Sequence, residues 1–320
     1  MSAWINVMDY GAVGDSDHDD TAAIQAAMDA CPRYGRVVFP TPPYRYKITD
    51  TLRPGKPLHL AGARGAGAGV TQTGSTLFGQ FDGFLVDYGD AGGSMPGPVV
   101  EGLTFYNTVG GGLRMHGYVL VSVRECVFLL NGAGVGLYLP NSDMSVLIQN
   151  CAFTGSDWLG KGIVADSHTS IQCCEFAGFH TGVQIGGPGI SITGCRVERN
   201  LTGFLLGVDK DLGARPFIGT VLGNSFEANN IGIEARMVAN SLFSGLGITG
   251  GPGAPDGVGA TGLLVSVLAS NTVFEGFQCS LGLTISPDCI MTRVAFRNVS
   301  AQTWTIPSGQ TGVTFTQCDN

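Results

Sequence analysis

The feature that most constrains this chain is a short motif that keeps returning. VRECVF (123–128), LIQNCAF (147–153), SIQCCEF (170–176), SITGCRV (191–197), VLGNSF (221–226), SNTVF (270–274) and MTRVAF (291–296) share one pattern. Two alternating apolar residues precede a small or sulfur-bearing residue, and an aromatic or valine follows two places on. The residue two before that last apolar one is Leu103, Cys126, Cys151, Cys174, Cys195, Asn224, Thr272 and Val294, at steps of 23, 25, 23, 21, 29, 48 and 22. The step of 48 reads as two coils with a degenerate member between them. A period in the low twenties marks a solenoid.

Each unit runs on through a polar turn into a second strand that opens with glycine: GLYL from Gly136, GIVA from Gly162, GVQI from Gly182, GFLL from Gly203 and GIEA from Gly232. Period-two alternation turns one face of each strand inward. The expected fold is all-β, a right-handed parallel β-helix with an N-terminal capping α-helix. Cys126, Cys151, Cys174 and Cys195 then occupy equivalent inward positions, stacked roughly 4.8 Å apart. Buried free cysteine behaves as a small hydrophobe, so these are expected as core rather than as metal ligands or disulfides.

Residues 1–60 depart from the repeat. DDTAAIQAAMDAC reads as a helix capped by Asp19, Asp20 or Thr21, with Ile24 and Met28 on one side and Pro32 ending it. Such a segment is a lid for the open end of a β-helix. It is expected to be continuous with the coils of 61–320, making effectively one domain. A Gly/Pro-rich stretch at 245–262 reads as a bulky turn.

Composition narrows the function classes. Charged residues are 13% and hydrophobic ones 44%, with mean hydropathy +0.22; a solenoid tolerates this because stacked coils share one apolar core. The formal net charge of −8 argues against nucleic acid as a partner. No apolar run reaches the ~18 residues of a membrane helix. MSAWINVMDYG lacks the regions of a signal peptide, so the expected origin is the cytoplasm, with release by lysis as a virion or tail component.

INVMDYGAVGDSDHDDTAAIQAAMDAC, followed by GRVVFP, YRYKI and LHLAGA, resembles the opening segment of the pectate lyase superfamily. That superfamily includes pectate lyases, polygalacturonases, alginate epimerases and bacteriophage tailspike depolymerases. The resemblance implies the fold and a polysaccharide as partner; by analogy with tailspikes it also implies a homotrimer. It does not fix the reaction. Where polygalacturonases carry an Asp-Asp pair this chain has none. His180 lies one residue from their histidine, and Glu234 and Arg236 stand at their arginine and lysine positions. Asp166-Ser167-His168 is similar to the Asp-Pro-His of alginate epimerases, without the proline.

Two and four residues past each coil's glycine should point outward: Tyr138, Val164, Asp166, Gln184, Leu205, Glu234 and Arg236 among them. Asp143, Asp166, His168 and Asp209 would form an acid–base cluster near the strand ends, although aspartate also favours turns for its own sake. Asp157, Trp158, Lys161 and His180 would line the same sheet and hold substrate, with Tyr138, Glu234 and Arg236. A rival pair is Glu198 and Glu227, one coil apart in a column that continues to Glu275 and Arg297; stacked carboxylates raise one another's pKa unless an arginine neutralises them. No metal or cofactor is expected, except calcium should the chemistry be that of a lyase. The expected function is a polysaccharide depolymerase of the tailspike kind, lyase or hydrolase. The alternative is a non-catalytic carbohydrate-binding or structural β-helix.

Overall fold

A computed structural model of the chain consists almost entirely of short parallel strands. It describes residues 4–64, 74–140, 145–166, 168–207, 215–250 and 261–319. Contacts gather into two compact units, Met1–Val164 and Ala165–Asn320, and each is built as a right-handed parallel β-helix with three strands to the coil.

In the first unit the first sheet runs through Trp4–Asn6, Arg36–Phe39, His59–Gly62, Val99–Glu101, Ser122–Arg124 and Val146–Gln149. The second runs through Tyr46–Ile48, Ser75–Gly79, Leu103–Asn107, Val127–Leu130 and Ala152–Gly155. The third includes Phe84–Pro96, Gly111–Val119 and Val135–Leu139. Because in-register strands repeat every ~4.8 Å, like side chains meet. Phe105, Phe128 and Phe153 stack with centroids 4.9 and 4.6 Å apart and planes within 8° and 2° of parallel.

The corner between first and second sheets is a single residue in the left-handed region, such as Glu125 (φ 55°) and Asn150 (φ 53°) in the first unit and Gly194 (φ 64°) and Gly223 (φ 59°) in the second. The ladder residue follows at once. Cys126 and Cys151 in the first unit, and Cys174 and Cys195 in the second, are buried, and no cysteine is in a disulfide. The Cys126 thiol donates to the carbonyls of Val100 and Arg124, and that of Cys151 to those of Val123 and Gln149. A thiol there fills the corner and gives its hydrogen to the backbone.

Beyond Asn224 the sequence register slips. Ser225 pairs with Gly247, and Gly247 with Gln278, so the ladder continues through Leu246 and Phe277. Thr272 instead precedes, and Val294 opens, a strand of the first sheet, whose pairs are Leu242 with Val273 and Val273 with Ala295. The cause is a change in which sheet carries the aromatics. In the first unit phenylalanines mark the second sheet; late in the second unit Phe243, Phe274, Phe296 and Phe315 stack along the first. Both strands satisfy the same alternation, so the motif matched the wrong one.

The helix Thr21–Ala30 buries Ile24, Ala27 and Met28. Asp20 occupies its N-cap position without a side-chain bond to the helix, and Asp19 just before it accepts from the Thr21 amide at 3.0 Å. The Asp20 carboxylate turns the other way and takes the amides of Val13 and Gly14 at 2.6 and 3.1 Å, pinning the loop that precedes the helix.

Candidate functional site

In the second unit, the third-sheet strands Thr181–Ile185, Thr202–Leu206, Ile231–Ala239 and Thr261–Ser270 turn Val183, Phe204, Ile233 and Leu263 inward. The alternate column is Gln184, Leu205, Glu234 and Leu264. That column faces away from the core as the glycine count requires, yet it is not open to water. Gln184 is 4% and Leu205 8% exposed, and Val164 at the end of the first unit is 3% exposed. Strand alternation sets direction only; what lies over a face depends on chain remote in sequence.

Asp166 closes the strand Lys161–Ala165 and is buried. Its Oδ2 lies 3.6 Å from an Arg215 guanidinium nitrogen, with the two side chains 1% and 49% exposed. Its backbone carbonyl accepts the Thr169 hydroxyl at 3.0 Å. His168 is exposed and stands at φ 55°, its amide donating to the Pro188 carbonyl at 2.7 Å. A left-handed residue here lifts the imidazole out of the strand end on the side where Gly189 leaves room for it. The turn thus sets a buried carboxylate and a solvent-facing imidazole within three residues of chain, and Arg215 reaches the carboxylate from a distant part of the sequence. Asp143 and Asp209, expected to complete this cluster, lie outside the described residues.

Glu234 and Arg236 form an ion pair, Nε to Oε1 at 2.6 Å, where the strand register shifts between Ala235 and Met237. The remaining expected substrate contacts are divided between the units. In the first, the half-buried Tyr138 ring stacks on Phe84 at 6.0 Å, and Trp158 is 40% exposed at φ 56°. Asp157 accepts from the Leu159 amide at 3.3 Å, while Lys161 joins the sheet through its amide to the Gly134 carbonyl. In the second, His180 is exposed and its Nδ1 meets the Thr181 hydroxyl at 3.1 Å.

Glu198 and Glu227 are direct register partners, as their spacing implied. Arginines occupy the space between them. Glu198 pairs with Arg196 at 2.8 Å and with Arg199 at 2.6 Å, and Arg196 reaches Glu227 at 4.0 Å. Glu275 and Arg297 do not continue this column; they pair with Ser244 and with each other in the first sheet, a further consequence of the slipped register.

Sequence reasoning missed Arg215, which follows a long connection and carries no motif. It also missed the paired asparagines Asn200 and Asn229, both buried. The Asn200 amide nitrogens, backbone and side chain, donate to Asn229 Oδ1 at 3.0 and 2.9 Å. Among the described residues no group of three or more His, Cys, Asp or Glu gathers as a metal site, and no helix is long and apolar enough to cross a membrane.

This architecture defines a class: single-chain parallel β-helices with a helical cap. Residues 4–83, a quarter of the chain, match the rhamnogalacturonase A/epimerase, pectate lyase-like family. No curated protein sequence matches it. Among solved structures, the tailspike protein gp208 of Dettilon is similar over 99% of this chain, with TM-score 0.70 and 14% identity. The chain spans 66% of that tailspike, just under two thirds of its length. The catalytic unit of a GH87 α-1,3-glucanase from Streptomyces thermodiastaticus strain HF3-3 is similar over the whole chain and 68% of its own, with TM-score 0.51 and 17% identity.

Proposed function

We propose that this protein is a polysaccharide depolymerase of the tailspike kind, lyase or glycoside hydrolase, acting at the third-sheet face that ends in Asp166 and His168. The observation that carries the reading is the Asp166 side chain, held almost wholly out of water against Arg215 beside an exposed histidine. A buried, oriented carboxylate two residues from an accessible imidazole supplies two groups of the kind that transfer protons at a sugar ring. Within the same unit as Asp166, His180 is the substrate contact and Asp209 the further acid–base candidate; Asp143, Tyr138, Trp158 and Lys161 of the first unit rest on the sequence reading alone. Similarity in fold to a tailspike and a glucanase supports a carbohydrate partner.

A second reading has its own observation. The Asp166 carboxylate and both members of the Glu198–Glu227 pair face arginine, an arrangement that suits a rigid binding protein equally well. Incubation with a panel of bacterial capsular and acidic plant polysaccharides separates the two. Unsaturated products absorbing in the ultraviolet mark a lyase, whose dependence on calcium is then read by adding a chelator. New reducing ends without absorbance mark a hydrolase. A polymer that is bound but never cut removes the depolymerase reading and leaves the binder. Assembly as a homotrimer is part of the proposal, and light scattering at micromolar concentration tests it: a monomer counts against it.

A further inference from the structure

The outer face of the first sheet in the first unit carries a second arrangement that the third-sheet site does not use. Trp4 is 69% exposed, a large apolar ring left in water at the start of the sheet. Its register partner Arg36 lies beneath it, guanidinium 4.9 Å from the ring centroid. From there a chain of charges crosses the strands. Arg36 pairs with Glu101 at 2.6 Å, and the other oxygen of Glu101 pairs at 2.8 Å with Arg124, its neighbour in register. At the corner beyond, Arg64 stands 3.9 Å from Glu125. Arg64, Glu101, Arg124, Glu125, Gln149 and Asn150 line an open polar groove of about 380 Å³ there.

Three guanidiniums face two carboxylates, so this patch has a surplus of positive charge on a chain of net −8. Its donors are also in surplus. Each guanidinium offers five N–H groups in a fixed fork, and Glu101 engages only part of two forks. The Arg36 Nε is buried and has no hydrogen-bond partner among the described residues. Glu101, held between two arginines, fixes their planes, while Arg64 and Arg124 stay 57% and 44% exposed. Oriented guanidiniums match planar oxyanions bidentately, and an exposed tryptophan presents the flat apolar body against which a sugar ring packs. Four strand intervals separate Trp4 from Arg124, roughly 19 Å at ~4.8 Å each, the reach of a short oligosaccharide rather than of one ion.

We infer that this face is an ancillary binding site for an acidic oligosaccharide, with a sugar ring on Trp4 and its anionic groups on Arg124 and Arg64. It serves to hold an anionic glycan and performs no cleavage itself. The test is calorimetric titration of the whole chain with a galacturonate hexasaccharide, a heparin hexasaccharide and neutral maltohexaose; the first two arms separate carboxylate from sulfate as the recognised group. One or both acidic probes bind and the neutral one does not, and affinity falls with added salt. Trp4→Ala and Arg64→Ala, both exposed and safe for folding, each weaken binding about tenfold or more, whereas Asp166→Asn leaves it unchanged. Equal affinity for the neutral probe, no binding of either acidic probe, or full affinity in both variants overturns the inference. Loss of binding in Asp166→Asn alone would also overturn it, by placing the ligand on the third sheet. Cleavage assays bear only on the third-sheet reading, so the two proposals fail separately.

Discussion

Asp166 and Arg215 form a lopsided ion pair: at 3.6 Å, one side chain is 1% exposed and the other 49%. The arginine reaches inward from solvent and orients a carboxylate that the strand end has already removed from water. Such a carboxylate is positioned by the fold and not by substrate. If the third-sheet face cleaves polysaccharide, Asp166→Asn lowers kcat about 10²-fold or more with little change in KM, the range typical of general acid–base groups. Glu198→Gln changes kcat less than about threefold, because Arg196 and Arg199 already occupy its carboxylate. Initial rates on the polymer that the panel identifies check both.

Asn229 is a single point on which several buried groups depend. Its Oδ1 accepts from both amide nitrogens of Asn200, and its own amide donates to the Val197 carbonyl at 2.9 Å. Asn229→Ala strands all of these, and each buried unsatisfied group costs about 1–3 kcal/mol. The expected loss is about 3 kcal/mol or more, read from the denaturation midpoint. Asn229→Asp retains the acceptor but not the donor.

The ring stack of the first unit predicts a packing penalty. Phe128 has Phe105 on one side and Phe153 on the other and is fully buried. Phe128→Ala should cost about 3–5 kcal/mol, whereas Phe128→Leu, which keeps most of the volume, should cost about half as much. Equilibrium unfolding of the two variants gives the ratio.

Thiol accessibility separates corner from core. Cys173 is exposed at the corner, while its neighbour Cys174 and the other ladder cysteines are buried. Burial pushes the Cys289 thiol up to about 11 and that of Cys126 well above its ordinary range. At pH 8 a brief pulse of iodoacetamide should label Cys173 first and leave Cys126, Cys151 and Cys289 untouched. All nine cysteines react once the chain is denatured. Peptide mass spectrometry reads the order.

Two histidines respond to acid in opposite senses. The His18 amide and ring both bond to the Asp15 carboxylate, which lowers the Asp15 pKa to about 2 and raises that of His18. The His18 contribution is therefore complete below the unfolded value of ~6.5 and is lost as pH rises through the higher folded value. The Asp15 contribution is complete above ~3.9 and is lost as pH falls toward about 2. Burial, helped by Arg36, lowers the His59 pKa. An unfolded chain then binds a proton that the native one resists, so stability declines as pH falls from ~6.5 to the folded His59 value. NMR titration should place His18 above and His59 below the ordinary histidine range, and Asp15→Asn should bring His18 back to it.

The sequence by itself determined the coil. Period-two alternation, glycines at the strand starts and a small residue every twenty-odd positions leave a parallel solenoid as the way to bury those side chains together. They also showed that Cys126, Cys151, Cys174 and Cys195 belong to the core, and that Glu198 stands beside Glu227, since one coil's spacing brings them into register. The helix Thr21–Ala30 was legible from its acidic start and its proline end.

Only the tertiary structure decided what meets across coils or covers a face. The passage of the aromatic stack from second sheet to first left Thr272, Val294, Glu275 and Arg297 in strands that alternation alone could not distinguish. Arg215 reaches Asp166 from 49 residues away in sequence, and the chain from Trp4 to Arg64 needs five strands laid side by side. Alternation is a local consequence of backbone geometry and is written in neighbouring residues. Ion pairs between distant side chains depend on which coil lies next to which, and that is set by the packing of the whole stack.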